Sequence, residues 1–253
     1  MNKLEIKNIA QQSTPKVKIK FFKQYLRHEI INELDTSDCI GIELGVAGGH
    51  YSQRMMGSGR FRKFYGVDLY EDHHNTKEYK GALKTIGLEK NYCLLRMSFD
   101  EAIDLFDDAY FDFIYFDGYA HTGEEGGKTF SNWFKKLKVG GMFAGDDYHD
   151  DWPLVKWAVN DMVTKIGCDL NVTIKTENTY LNRYPTWFFI KEKECNFTSD
   201  TALLELGTKI RNSTRKKASS EITLTIDQIS SILKQVKLKQ PKIANSLKKT
   251  SLT

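Results

Sequence analysis

Residues 39–51 read Cys-Ile-Gly-Ile-Glu-Leu-Gly-Val-Ala-Gly-Gly-His-Tyr, and this stretch decides the fold. Its first six residues are typical of a buried strand, and the glycines after them allow a tight turn into a helix with close backbone contact to a ligand. A dinucleotide fingerprint GxGxxG starting at Gly45 requires glycine at positions 47 and 50, which hold Ala47 and His50. The turn therefore predicts a ligand site and disfavours a nicotinamide enzyme.

The sequence around this turn alternates short β-rich runs with helical stretches from Cys39 to about Lys191. Such alternation is the signature of an α/β fold, in which helices cover both faces of a parallel sheet. Apolar residues at helical spacing predict one helix over residues 129–137 and another that begins at Pro153. Seven strands are predicted, over residues 39–44, 64–69, 92–97, 112–117, 142–146, 171–175 and 187–191.

Carboxylates follow three of these predicted strands. Asp68 ends the second strand, where a carboxylate either accepts two ribose hydroxyl hydrogen bonds or caps the next helix. Asp117 ends the fourth strand, and Asp146 and Asp147 end the fifth. The carboxyl ends of parallel strands meet at one edge of a sheet, so these last three carboxylates should converge. Three like charges need a cation or protons between them, and oxygen ligands suit Mg²⁺ or Ca²⁺.

The acidic residue and Leu-Gly of Glu43-Leu44-Gly45 resemble motif I of class I S-adenosylmethionine (SAM)-dependent methyltransferases. The set Asp117, Asp146 and Asp147 is similar to metal-dependent O-methyltransferases of the catechol and macrolide-sugar types. The resemblance implies a Rossmann-like, seven-stranded, mostly parallel sheet with an antiparallel last strand, and Mg²⁺ held by those three carboxylates. The alternative is that Asp146 and Asp147 cap the helix near Pro153 while Asp117 contacts SAM directly.

The resemblance also implies where the cofactor lies. The glycine turn would hold the amino-acid moiety of SAM, Asp68 the ribose, and the residues after the third strand the adenine. The predicted cofactor-binding residues are Glu43, Gly45, Val46, Ala47, Gly48, Tyr51, Asp68, Leu69, Ser98 and Phe99.

The predicted chemistry is methyl transfer to a hydroxyl group. A bound Mg²⁺ would orient two neighbouring substrate oxygens and lower the pKa of the reacting hydroxyl. The predicted catalytic residues are Asp117, His121 and His149, either imidazole serving as the base. His121 departs by one position from the Asp-Gly-x-His spacing expected of related enzymes, which leaves the choice of base open. The paired His73 and His74 are read as an exposed loop in preference to metal ligands.

The Asp-Asp pair favours a sugar hydroxyl, in a surface glycan or a secondary metabolite, as the acceptor. A catechol-type small molecule is the second choice. A rival of another class is a non-catalytic subunit with this fold that binds RNA or an anionic membrane through its basic tail. The intact set of three carboxylates argues against that rival.

The two ends of the chain are predicted to lie outside the catalytic domain, which gives the divisions 1–38, 39–193 and 194–253. A capping helix is expected over residues 18–34, a C-terminal helix over 198–210 and a polar linker over 212–220. Beyond the linker, apolar residues follow a heptad spacing for about two heptads, and we expect them to pack on a second copy of the chain, forming a homo-oligomer, or on its own catalytic domain. These heptad-spaced residues are Ile222, Ile226, Ile229, Leu233 and Val236. Five lysines then follow without an acidic residue and suggest an anionic membrane or an acidic partner: Lys237, Lys239, Lys242, Lys248 and Lys249.

Composition and charge argue against several other functional classes. The net charge of +4 is too small to predict nucleic-acid binding, and the four scattered cysteines indicate neither a zinc site nor a disulfide framework. The first residues contain no apolar run typical of a secretory signal. We therefore expect a cytoplasmic protein, peripheral to the inner face of the membrane if the lysines bind lipid.

Overall fold

An eight-stranded sheet forms the centre of the fold. The computed structural model describes residues 2–71, 75–118, 122, 128–177 and 182–222, with the side chains of the last helix described through residue 213. The strands are β1 (Ile19–Phe22), β2 (Cys39–Leu44), β3 (Phe61–Val67), β4 (Tyr92–Leu95), β5 (Phe111–Phe116), β6 (Leu137–Gly145), β7 (Leu170–Thr173) and β8 (Trp187–Ile190). Their order across the sheet is β1-β7-β8-β6-β5-β2-β3-β4.

Every neighbouring pair of strands is parallel except those that involve β8, which runs antiparallel to β6 and β7. The α/β class, the mostly parallel Rossmann-like sheet and the antiparallel last strand are therefore confirmed, with β1 as an additional strand. The helices are α1 (Lys3–Ser13), α2 (His50–Gly57), α3 (Thr76–Ala82), α4 (Phe99–Ala102), α5 (Lys128–Lys136), α6 (Pro153–Ile166) and α7 (Thr201–Ile222).

Residues of β5 alternate between two apolar clusters, one on each face of the sheet. Phe113 and Tyr115 pack with Tyr51 of α2, whereas Ile114 and Phe116 pack in the cluster that contains residues of α5, α6 and α7. Burial on both faces explains why β5 is almost wholly apolar, as expected for a central parallel strand. Each such side chain contributes roughly 2 kcal/mol to folding, so the strand that ends at the site is among the most firmly held.

The N-terminal segment differs from its prediction. The single helix expected over residues 18–34 is wrong, because Ile19–Phe22 forms β1 and a 3₁₀ helix follows at Glu29–Glu33. Apolar residues three and four apart fit a helix, but pairing of β1 with β7, far along the chain, satisfies the backbone of residues 19–22 as a strand. The segment between β1 and the 3₁₀ helix is thereby placed at the sheet, and it carries Arg27.

The C-terminal helix is longer than predicted. The linker expected over residues 212–220 is wrong, since α7 continues to Ile222. This stretch is polar and basic but contains neither glycine nor proline, so nothing in it ends a helix. The chain divides into two compact units, Met1–Ile210 and Arg211–Thr253. The heptad-spaced residues after Ile222 and the lysine-rich end lie outside the described residues.

Among the described residues, none of the helices is both long enough and apolar enough to cross a lipid bilayer.

Candidate active site

The register of three parallel strands brings the predicted site residues together. Leu44 of β2 lies opposite Phe116 of β5, which lies opposite Gly145 of β6. The backbone N–H of Asp117 donates to the carbonyl of Leu44 at 2.8 Å, and that of Asp146 donates to the carbonyl of Phe116 at 2.9 Å. The carboxylates at positions 117 and 146 therefore leave the sheet side by side, next to the turn at Gly45.

The turn after β2 has a backbone that requires glycine at its first position. Gly45 has a φ of +101°, and a Cβ there would lie 2.0 Å from the backbone oxygen of Asp117. This close approach keeps the turn against the end of β5. The sequence predicted that glycine at this turn allows close backbone contact with a ligand. In the structure Gly45 makes its close contact with the backbone of Asp117, so the protein itself already requires glycine here.

Asp68 holds the same turn from the other side. Its Oδ2 accepts hydrogen bonds from the backbone N–H groups of Val46 and Ala47, both at 2.9 Å, and the residue is 7% exposed. Its Oδ1 accepts from the backbone N–H of Tyr70 at 3.2 Å. Asp68 therefore fixes the loop that Ala47 crosses with a positive φ of 47°, and its two oxygens engage backbone amides of the chain itself.

A cavity of about 330 Å³ opens at this edge of the sheet. It brings together nine of the predicted cofactor or metal residues with five residues that were not predicted. Its lining consists of Arg27, Glu43, Gly45, Val46, Ala47, Gly48, His50, Tyr51, Arg54, Asp117, Asp146, Asp147, Arg183 and Tyr184.

Five other predicted residues lie outside that lining. They are Asp68, described above, Leu69, Ser98, Phe99 and His149. Leu69 is 39% exposed, and Ser98 caps α4 by accepting a hydrogen bond from the backbone N–H of Glu101. Phe99 packs near the strand end, since a Cβ on Gly118 would lie 3.3 Å from its ring. The ring of His149 is 5.2 Å from that of Tyr184, and its Nδ1 accepts from the backbone N–H of Asp151.

His121, His73 and His74, which the sequence raised as a base and as metal ligands, lie outside the described residues.

Arg27 is the cation that faces the predicted carboxylate set. Its Nη2 donates to Oδ2 of Asp117 in a short hydrogen bond, and its Nη1 lies 3.1 Å from Oδ2 of Asp146. The side chain is only 7% exposed, and its guanidinium carbon lies 4.5 Å and 5.2 Å from the ring centroids of Tyr51 and Tyr115. Two carboxylates and two aromatic faces thus surround one buried guanidinium.

Burial raises the pKa values of three acidic residues that line the cavity. Burial raises the pKa of Glu43 well above its usual range, and the neighbouring Asp117 raises it further, although Ser52 donates a short hydrogen bond to its Oε2. Burial likewise raises the pKa of Asp146, with Arg27 opposing that shift. The pKa of Asp147 is raised by burial and by repulsion from Asp146 and Asp117. The cavity therefore holds carboxyl groups that can exchange protons near neutral pH.

Tyr51 lines this cavity and carries a buried hydroxyl group. The residue is 6% exposed and its ring stacks on Tyr115, with centroids 4.1 Å apart. Within the described part of the chain, its buried hydroxyl has no hydrogen-bond partner. Buried hydroxyl groups are nearly always paired, so a hydrogen bond to a ligand in the cavity would satisfy this atom.

Sequence reasoning missed Arg27, His50, Arg54, Arg183 and Tyr184 in the lining. Arg54 pairs with Glu177 at 3.0 Å, and the guanidinium of Arg183 lies 5.3 Å from the ring of Tyr184. None of these residues belongs to a recognisable motif. For Arg27 a signal was present, since three converging carboxylates required a positive charge, which an arginine supplies as well as a metal does.

Comparisons with known proteins bear on the fold and on part of the chain. Residues 40–148 match the family model described as a methyltransferase domain. A spermidine synthase from Thermotoga maritima is similar over 77% of this chain and 74% of its own, with a TM-score of 0.52 and 14% identity. A spermidine synthase bound to the transition-state analogue AdoDATO gives the same coverage and TM-score at 15% identity. No curated protein sequence matches the chain significantly.

A candidate O-methyltransferase from Klebsiella pneumoniae is similar over 75% of this chain and 88% of its own. Its TM-score of 0.48 and identity of 13% are too low to bear on function.

The fold alone does not decide the reaction, because one fold serves many chemistries. The family match covers β2 through the aspartate pair after β6, which supplies most of the cavity lining, whereas Arg27, Arg183 and Tyr184 lie outside it. Residues 40–148 of this chain therefore match a methyltransferase domain.

Proposed function

We propose that this protein is an O-methyltransferase that moves the methyl group of SAM to a hydroxyl group, with a sugar hydroxyl as the first choice of acceptor. The observation that carries the proposal is the single cavity where the glycine turn, Glu43 and three aspartates meet. A methyl donor and a group able to accept the acceptor's proton then lie within one enclosure. Holding both reactants there supplies much of the rate enhancement.

The SAM end of the cavity is formed by Glu43, the turn at residues 45–48 and Tyr51. Buried carboxylates suit the ammonium group of the cofactor, and the Tyr51 hydroxyl supplies a hydrogen bond that the described protein groups leave unused. Asp68 acts on this end through Val46 and Ala47, as a positioning residue, because its oxygens hold the backbone of the turn. The predicted contacts of Leu69, Ser98 and Phe99 with the cofactor remain predictions.

The chemical step is an in-line displacement at the methyl carbon. A lone pair of the acceptor oxygen forms the new C–O bond while the C–S bond breaks, and its electrons neutralise the sulfonium to give S-adenosylhomocysteine. The hydroxyl proton must leave, and the Asp147 carboxylate lines the cavity with a pKa raised towards the working range of a base. Asp147 therefore joins Asp117, His121 and His149 as a candidate for proton transfer.

The predicted Mg²⁺ does not fit the three carboxylates as they are arranged. Arg27 engages an oxygen of Asp117 and an oxygen of Asp146, and a metal ion would need those oxygens at about 2.1 Å. Among the described residues, no group of three or more acidic, histidine or cysteine side chains could hold a metal ion. We therefore assign the proton transfer to the side chains of this chain.

The rim of the cavity supports a ring-shaped acceptor. Tyr184 lines the cavity, Trp152 is 41% exposed, and their rings meet edge to face with centroids 6.1 Å apart. Partly exposed aromatic rings suit the apolar face of a sugar ring and its hydroxyl-bearing edge. A catechol would stack equally well, so it stays the alternative small-molecule acceptor.

Calorimetric titration of SAM and S-adenosylhomocysteine tests the cofactor half of the proposal. Wild type should bind both, and Glu43→Gln should weaken SAM binding about tenfold or more. The ammonium group of SAM would favour the ionised form of Glu43, and a charged hydrogen bond is worth roughly 1.5–3 kcal/mol. The exposed Glu89→Ala serves as the matched control and should bind as wild type does. A folded protein that binds neither ligand at millimolar concentration would remove the basis of the proposal.

Transfer of isotope-labelled methyl groups from SAM tests the acceptor half. The acceptors tested are neutral and acidic glycans, free monosaccharides and a catechol. Labelled product and S-adenosylhomocysteine are both measured. We expect label in a sugar and its loss in Trp152→Ala, with SAM affinity unchanged. Label in the catechol alone would replace the sugar by the second choice.

A further inference from the structure

Arg27 stands where the carboxylates at the ends of β5 and β6 converge. The residue comes from the segment between β1 and the 3₁₀ helix, about 90 positions before Asp117 in the sequence, and its guanidinium bridges Asp117 and Asp146. Its backbone N–H also lies 3.4 Å from Oδ1 of Asn182. The charge is therefore brought to the site by the tertiary fold.

The surroundings of Arg27 suit a permanent cation. Burial alone would lower the pKa of Arg27, but the charges of Asp117 and Asp146 outweigh it and raise the pKa well above its usual value. The faces of Tyr51 and Tyr115 cover the guanidinium, and a planar, weakly hydrated cation is favoured in such a slot over a compact ammonium. Separating the group from its two carboxylates would leave buried charges without compensation, at a high cost in free energy.

A divalent cation would compete with Arg27 for the same oxygens. It would have to displace the guanidinium from Oδ2 of both Asp117 and Asp146, or else bind beside a fixed positive charge. Both routes are opposed by electrostatics at short range and low effective dielectric. The arginine and a metal ion are thus mutually exclusive occupants of this carboxylate set.

We propose that Arg27 is the resident cation of the Asp117, Asp146 and Asp147 cluster, so that this protein transfers methyl groups without a divalent metal, and that removing Arg27 opens a divalent-cation site. The statement about turnover rests on the proposed methyl transfer, whereas the statement about the carboxylates does not. Arg27 is a positioning residue that neutralises two carboxylates and holds their side chains in place.

Titration of Mn²⁺ into the full-length protein without SAM, followed by calorimetry and by the electron paramagnetic resonance signal of free Mn²⁺, tests the proposal. Wild type should show no saturable binding up to about 1 mM, and Arg27→Lys should resemble it because the positive charge is kept. Arg27→Met should bind Mn²⁺ at least tenfold more tightly than wild type, and Arg27→Met combined with Asp146→Asn should lose that gain. The control Arg62→Met removes an exposed arginine paired with Asp38 and should match wild type.

Measurements on the wild-type protein test whether Arg27 or a divalent metal ion neutralises the carboxylates, even if Arg27→Met does not fold. Micromolar Mn²⁺ binding by wild type that Asp146→Asn abolishes would overturn the proposal, and so would loss of methyl transfer in EDTA with recovery in Mg²⁺. Methyl transfer that is unchanged by EDTA supports it. If SAM fails to bind while Mn²⁺ also fails to bind, the proposed methyl transfer is wrong and the assignment of Arg27 as the cation of the cluster stands.

Discussion

Asp147 occupies an unfavourable position for an ionised side chain. Its backbone has a φ of +63°, in the left-handed region that aspartate and asparagine tolerate better than most residues. Burial and the nearby Asp146 and Asp117 raise its pKa to about 8. The unfolded chain loses the proton near pH 4, so between these two values the folded state holds a proton that the unfolded state releases. Stability from this group is therefore lost as pH rises from about 4 to 8.

Asp147→Asn is expected to stabilise the protein in a pH-dependent way. At pH 8 the variant should be more stable than wild type by up to about 5 kcal/mol and melt at a higher temperature, because it carries no buried carboxylate and a pKa raised from about 4 to about 8 corresponds to that free energy. At pH 4 the difference should be smallest, since the wild-type carboxyl is then protonated in the folded state and about half protonated in the unfolded state. Thermal unfolding by circular dichroism across pH 4–8 measures the difference. A stabilisation independent of pH would mean that backbone conformation, and not charge, is responsible.

The turn between β2 and α2 is the element on which the cofactor site depends. A Cβ at Gly45 would meet the backbone of Asp117, which cannot move without displacing the end of β5. Gly57, near the end of α2, has open space around its Cα instead. Alanine at Gly45 therefore tests the steric fit of the turn, and alanine at Gly57 tests helix propensity alone.

Gly45→Ala should lower the free energy of unfolding by about 3 kcal/mol or more and abolish detectable SAM binding, because both a positive φ and a backbone clash oppose it. Gly57→Ala should leave SAM binding unchanged and stabilise α2 by up to about 1 kcal/mol. Denaturant unfolding and SAM titration of both variants provide the measurement. Equal SAM affinity in Gly45→Ala and wild type would show that the turn is not part of the cofactor site.

Elements whose signal is local were predictable from sequence. The residues of β2 and the start of α6 at Pro153 matched their predictions, since a glycine turn and an N-terminal proline mark boundaries directly. The segment at Ile19–Phe22 was not predictable, because its apolar spacing fits a helix and only β7 makes it a strand. The same long-range pairing brings Arg27 to Asp117, so the sequence predicted the convergence of the carboxylates but not the arginine among them.

At the scale of the whole molecule, the unit Met1–Ile210 contains both large apolar clusters and the cavity. The first turns of α7 belong to that unit, since Leu203 and Leu206 are buried in its larger cluster. Five lysines of the lysine-rich end carry positive charge without an acidic residue among them. We propose that this end mediates assembly or attachment to an anionic surface and takes no part in methyl transfer.

A chain that ends at Asn212 is expected to keep its fold and to bind SAM within about twofold of the full-length affinity, because Leu203 and Leu206 remain in place. It should lose retention on vesicles that contain anionic lipid, since each lysine near such a surface contributes about 1 kcal/mol. A full-length control with glutamine at the five lysine positions should lose vesicle binding but keep any oligomer formed through the heptad-spaced residues, as measured by light scattering. Lipid binding and mass that stay unchanged in the shortened chain, together with a loss of SAM affinity, would place the C-terminal end in the active site and refute the division.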